Sequence, residues 1–328
     1  MKIKAEVLSS FHQSRKETIS TDLQSIASAE DASPILDAMA ILPEQELAIP
    51  IKSGARPANL IPEIRYFETQ DGERSRKLAY MVSGNLDAKN ILLCLPGLLE
   101  TKSSFLVLHS YFLDFEDCMV MSVDFSGRGD SDNVVDQGVY RMSLYLADIS
   151  MLIQEILFSG KGRSRKLTIL GTSMGGVLAM YLTQIFKKRI TEIILNDIAL
   201  TVNWTSLYAL YKSMKNELGF MEARELAKEL SVDEKAIADV QLPGHFDLSY
   251  RADIWGMNFH EALEGYAGKV GLIYGGKSKI CTKQRVEEAQ IYIPNIKTLE
   301  ISDSGHPVPF NLQVCEFVHS EMGLFGGL

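Results

Sequence analysis

The 328-residue chain is poor in several features that would assign a class at once. It has four cysteines, and none of them sits in a C-x-x-C pair. A disulfide framework, a zinc site and a redox dithiol are therefore not expected. Cys94, Cys118 and Cys281 fall in or beside apolar runs, which predicts buried free thiols in a reducing compartment. Cationic residues are in deficit: 33 Lys and Arg against 42 Asp and Glu give a net charge of −9. A nucleic-acid partner or an anionic membrane surface needs clustered cations, so neither is expected. Long apolar runs are lacking too. The longest, from Ile91 to Leu99, is interrupted by Pro96 and Gly97 and is far too short to span a bilayer. The opening residues have no apolar h-region of a secretory signal, and the expected location is cytoplasmic. No G-x-G-x-x-G follows a strand-like run, and no His, Cys and carboxylate cluster has ligand spacing. No cofactor and no metal is expected.

What remains is ordinary globular composition, 46% hydrophobic and 23% charged, in a chain long enough to bury a large core. Residues 1–33 hold seven serines, although Ile19, Leu23 and Ile26 keep helical spacing. Ser33-Pro34 reads as an N-cap with proline at the first helical position, and that short helix would end at Pro43. Residues 1–58 are expected to be an extension without chemistry. From Ile61 the pattern sharpens. Glu63–Thr69 alternates, Asp71-Gly72 turns the chain, and Lys77–Val82 resumes it, the signature of a β-hairpin. Short apolar runs follow at wide intervals: Ile91–Leu95, Cys118–Val123, Leu167–Leu170, Ile193–Leu195 and Val270–Tyr274. Helical text in Leu144–Phe158 and Gly176–Phe186 lies between them. A last strand, Lys297–Ile301, precedes a helix at Leu312–Glu321. Strands buried on both faces look like this, so the expected fold class is α/β, a mostly parallel, doubly wound sheet with helices on both sides. One interval breaks the rhythm. The roughly 70 residues between Asp197 and Val270 exceed a single crossover, and 201–267 reads as a helical cap. The expected core is 59–200 with 268–328.

Gly171-Thr172-Ser173-Met174-Gly175 follows the strand ending at Leu170 and runs straight into a helix. The G-x-S-x-G spacing has a mechanical reason. A strand-to-helix turn this sharp needs Gly171 and Gly175, and it leaves the serine exposed in a strained conformation at the sheet edge. Ser173 is the expected nucleophile. A nucleophilic hydroxyl needs a base, and His306 follows the last strand in Asp303-Ser-Gly-His-Pro. Backbone donors for a tetrahedral oxyanion are expected from Met174, at the head of the helix, and from Leu98, with Gly97 permitting the close approach. Arg128-Gly129-Asp130 spells an integrin-recognition tripeptide. Within a post-strand turn it reads instead as a brace for the loops around the site.

On these residues the chain resembles the α/β-hydrolase superfamily, and within it esterase, lactonase and carbon–carbon hydrolase-like members with a helical cap. The matching text is Leu95-Pro-Gly-Leu, Asp124-Phe-Ser-Gly-Arg-Gly-Asp-Ser-Asp, Gly171-Thr-Ser-Met-Gly-Gly, Leu195-Asn-Asp-Ile and Gly305-His306, in order over about residues 61–328. Relatives usually carry His-Gly where this chain has Pro96-Gly97. They also place an Asp after the strand corresponding to Val270–Tyr274, as Gly-x-x-Asp or Gly-x-x-Ser-Asp. This chain has Gly275-Gly276-Lys277-Ser278-Lys279 there, with no carboxylate. Asp197, at the end of the preceding strand, is the best replacement, and its carboxylate should then lie about 2.6–3.2 Å from His306 Nδ1. Asp303 is close to His306 in sequence but is expected to point away, and Glu287 and Glu288 are expected on a solvated helix face.

The resemblance implies hydrolysis of a carboxylic ester, thioester or lactone through an acyl-serine intermediate. Two alternatives stay open at this point. One is carbon–carbon bond cleavage with the same serine and histidine. The other is a degenerate fold serving as a ligand-binding or interaction protein, which the missing acid favours. Trp204, Tyr208, Tyr211 and Phe246 in the expected cap suggest a small-molecule substrate with an apolar acyl portion.

Overall fold

The computed structural model describes residues 62–71, 74–98, 100–134, 140, 142–157, 165–202 and 258–324. The expected extension and most of the expected cap lie outside these residues. Eight strands form one sheet: β1 (Glu63–Asp71), β2 (Arg74–Gly84), β3 (Asn90–Leu95), β4 (Cys118–Val123), β5 (Lys166–Thr172), β6 (Ile190–Asn196), β7 (Lys269–Gly275) and β8 (Lys297–Ile301). Their order across the sheet is β1-β2-β4-β3-β5-β6-β7-β8. The first two pair as the expected hairpin, and β2 runs antiparallel to β4. Every later neighbour is parallel. Every side chain of β4 is buried, as are all but the first of β5 and of β7. That is why these strands read as unbroken apolar runs and not as alternations.

Among the described residues the α-helices are α1 (Leu106–Phe112), α2 (Met142–Leu152), α3 (Met174–Phe186), α4 (Lys283–Tyr292) and α5 (Leu312–Met322). The sequence predicts that α2 continues to Phe158, whereas the regular helix stops at Leu152 and widens into a π-turn at Ile153–Leu157. Periodicity reads the direction of side chains and is blind to this change of hydrogen-bond register. Among the described residues, one core cluster joins α1 and α5 to strands β3, β5, β6 and β7 through Leu92, Leu108, Leu170, Ile194, Ile273 and Val314. Cys94, Cys118 and Cys315 belong to the same cluster, and Cys281 is buried as well. All four are free thiols. Burial pushes the Cys118 thiol up to about 12, so it behaves as a small apolar group. No helix among the described residues is long and apolar enough to cross a membrane.

The register decides what meets at the sheet's C-terminal edge. Thr172 lies opposite Asn196, and Asn196 lies opposite Ile273. The first residues beyond β5 and β6 are therefore Ser173 and Asp197, side by side at the same edge.

Candidate active site

Ser173 sits between β5 and α3 with φ 47° and ψ −111°, a conformation L-residues rarely adopt. The turn is so tight that a Cβ on Gly171 would come within 2.4 Å of the Gly175 backbone. A Cβ on Gly175 would fall 2.1 Å from the Leu95 carbonyl oxygen. The two glycines are thus steric necessities of the elbow, one packing against its own turn and the other against the end of β3. The Ser173 N–H donates to the Asn196 carbonyl at 2.9 Å, which ties the strained residue to the neighbouring strand. Met174 is the first residue of α3, where backbone N–H groups have no acceptor within the helix. Among the described residues, the Ser173 hydroxyl has no hydrogen-bond partner. Hydrogen bonds of this type are often long in unliganded enzymes and tighten when substrate binds.

Asp197 is fully buried and has φ 55°, in the left-handed region that aspartate tolerates better than most residues. Its carboxylate is surrounded by donors. Oδ2 lies 2.6 Å from His306 Nδ1 and accepts the Ser278 hydroxyl at 2.7 Å, while Oδ1 accepts the Gly275 N–H at 3.1 Å. A carboxylate can only accept, so the short contact places the imidazole proton on Nδ1 and leaves Nε2 free to take one. The His306 side chain is 15% exposed.

Two features hold the histidine loop in place. Gly275 and Gly276 let it lie directly against the end of β7: a Cβ on Gly275 would come 2.5 Å from the Gly305 and Ser304 carbonyls. Backbone bonds Gly276 N–H to Ile301 and Lys277 N–H to Ser304, both 2.9 Å, use that proximity. From the other side, the Asn196 amide donates to the Val308 carbonyl at 2.9 Å.

The loop after β3 has its own supports. The Gly97 N–H donates to the buried Glu100 carboxylate at 2.7 Å, and the Leu98 carbonyl accepts from the Arg128 guanidinium. Lys102 is buried with Asp124, 2.6 Å away, and reaches Asp130 at 2.5 Å. Burial acts against its charge, but the two carboxylates more than offset this and hold its pKa above the ordinary lysine value. Removing one partner of such a pair would strand a buried charge, so the pair rigidly couples the β3 and β4 loops.

Asp303 points away, as expected: it is 97% exposed and pairs with Lys277 at 3.1 Å. Glu288 faces solvent on α4. His109 is buried between Ser83 and Ser122, and His260 packs edge-on against Tyr292. His12 and His245 lie outside the described residues. Sequence reasoning passed over Ser278, Glu100 and Lys102. Ser278 alone left a signal, since it occupies the last position of the Gly-x-x-Asp pattern.

A family model described as serine aminopeptidase, S33, matches residues 87–239. A 3-hydroxybutyrate-oligomer hydrolase from Cupriavidus necator is 22% identical, the match covering 71% of this chain and 88% of that one. Among solved structures, an α/β hydrolase from Novosphingobium aromaticivorans superposes with a TM-score of 0.62 at 21% identity, covering 80% of this chain and 98% of its own. An esterase from Thermogutta terrifontis gives 0.61 at 17% identity, covering 78% and 97%. These chains share the fold. The chain has the α/β-hydrolase fold, and the proteins it is similar to are named as hydrolases.

Proposed function

We propose that the protein hydrolyses a carboxylic ester through an acyl-Ser173 intermediate. Ser173 attacks the carbonyl carbon while His306 Nε2 takes its proton. The tetrahedral oxyanion is received by the amides of Met174 and Leu98. His306 then returns the proton to the leaving alkoxide, which departs as the alcohol. In the second half, His306 takes a proton from water, the resulting hydroxide attacks the acyl-enzyme, and the acid is released with Ser173 restored. Asp197 keeps the imidazole in the Nδ1–H tautomer and stabilises the imidazolium formed in each half.

The observation that carries this reading is the 2.6 Å contact between Asp197 and His306 at the sheet edge that bears the strained serine. It weakens the degenerate-fold alternative, which rested on the absence of an acid at 277–279. Ester substrates are favoured over thioesters and lactones because the curated relative is named for hydrolysis of a hydroxybutyrate oligomer. The substrate class this suggests is a short ester of a small hydroxy acid.

Labelling with a fluorophosphonate probe tests the mechanism, and the expected result is one adduct that disappears in Ser173→Ala. The substrate class is tested by comparing acyl esters, hydroxy-acid oligomers and aminoacyl anilides. An unlabelled wild-type protein that also leaves short acyl esters intact would overturn the reading. Efficient cleavage of aminoacyl anilides with inert esters would replace the ester by a peptide substrate.

A further inference from the structure

We propose that Ser278 is a positioning residue that fixes the Asp197 carboxylate for His306, acting from the position where relatives keep their own acid. The inference rests on the acyl-serine reading above and deepens it.

Gly275-Gly276-Lys277-Ser278 turns the chain out of β7, closed by the Ser278 N–H donating to the Gly275 carbonyl at 3.0 Å. The side chain that follows is buried and has no freedom left. Its oxygen accepts the backbone N–H groups of Ile280 at 3.2 Å and Cys281 at 3.1 Å. Those two donors occupy the acceptor directions of the hydroxyl, so its single hydrogen is directed elsewhere. It points to Asp197 Oδ2, 2.7 Å away, the same oxygen that receives His306 Nδ1. With the Gly275 N–H on Oδ1, the carboxylate is held at both oxygens and cannot rotate about its Cβ–Cγ bond without breaking a bond.

This arrangement explains how a Gly-x-x-Ser turn serves where relatives have Gly-x-x-Asp. The turn's fourth side chain is directed at Asp197 Oδ2 and not at the imidazole itself. It reaches the histidine through a carboxylate carried on the adjacent strand. The flanking Lys277 and Lys279 are exposed and leave this buried line of hydrogen bonds undisturbed.

The test compares Ser278→Ala, Ser278→Cys and Ser278→Thr, each in the wild-type and the Asp197→Asn backgrounds, with an activated short-chain ester. Cys retains the size of the side chain and discards most of its donor strength, which covers the case in which Ala fails to fold. Ala or Cys should lower kcat about tenfold with KM unchanged, and Thr should restore it. The same changes should have no further effect in Asp197→Asn, because the carboxylate they act through is gone. The downfield proton resonance of His306 Nδ1–H should shift in Ser278→Cys and return in Ser278→Thr. An unchanged kcat in Ala and Cys would overturn the proposal, and so would an equal fold-loss in both backgrounds. Fluorophosphonate labelling separates the two levels: a labelled wild type with a silent Ser278 refutes this inference alone. An unlabelled wild type refutes the acyl-serine reading, and this inference falls with it.

Discussion

Asp197 and His306 stand 109 residues apart in the chain and meet at 2.6 Å, Oδ2 to Nδ1. The contact is made by strand order. Asp197 leaves β6, the histidine loop leaves β8, and β7 lies between them with two glycines at its end. The consequences can be measured one at a time.

Asp197→Asn should cut kcat by about 10³–10⁴-fold with little change in KM. Asparagine keeps the size and tolerates the positive φ, but its amide can donate toward His306 Nδ1 and so favours the wrong tautomer. Steady-state kinetics on an activated ester check this. A loss below tenfold would mean that His306 does not depend on this carboxylate.

Gly175→Ala and Gly305→Ala form a matched pair. A Cβ at 175 would lie 2.1 Å from the Leu95 carbonyl, whereas one at 305 meets nothing within 4 Å. The first should destabilise the fold by several kcal/mol, and the second should stay within about 0.5 kcal/mol of wild type. Chemical denaturation of both reads the difference.

His109 predicts acid sensitivity. Burial lowers its pKa from 6.5 to about 3. The unfolded chain takes up a proton below pH 6.5 that the native state refuses, so stability falls as pH drops from 6.5 toward 3. Each pH unit in that window removes at most about 1.4 kcal/mol for this group. Denaturation curves between pH 7 and 4 should show the slope, and His109→Gln should flatten it. An unchanged slope in the variant would assign the effect to other groups.

Glu192 predicts the opposite sign. Burial raises its carboxyl from 4.5 to about 8, with Glu321 nearby adding to the effect and Lys269 and Lys297 opposing it. The native state holds a proton that the unfolded chain has released above pH 4.5. Stability from this group is therefore lost as pH rises from 4.5 to about 8. Glu192→Gln mimics the protonated form and should be more stable than wild type at pH 8.5. Equal stability at that pH would show that the carboxylate is solvated in the native state.

The sequence by itself determined the features whose physics is local. Short runs such as Cys118–Val123 fill both faces of a buried strand, and their composition announces it. The elbow is legible because its steric demands fall within five residues: the glycines are needed where the turn brings backbone against backbone. Only the tertiary structure decided what crosses between strands. Lys277-Ser278-Lys279 read as a missing acid because the sequence shows neighbours along the chain. The relevant neighbour is the Asp197 carboxylate, 81 residues back and one strand over. Lys102 carries no local signal in the sequence, yet it is buried against Asp124, 22 residues on, because β3 and β4 end side by side. In each case hydrogen bonding and charge pairing depend on distance in space, and it is the register of the sheet that sets that distance.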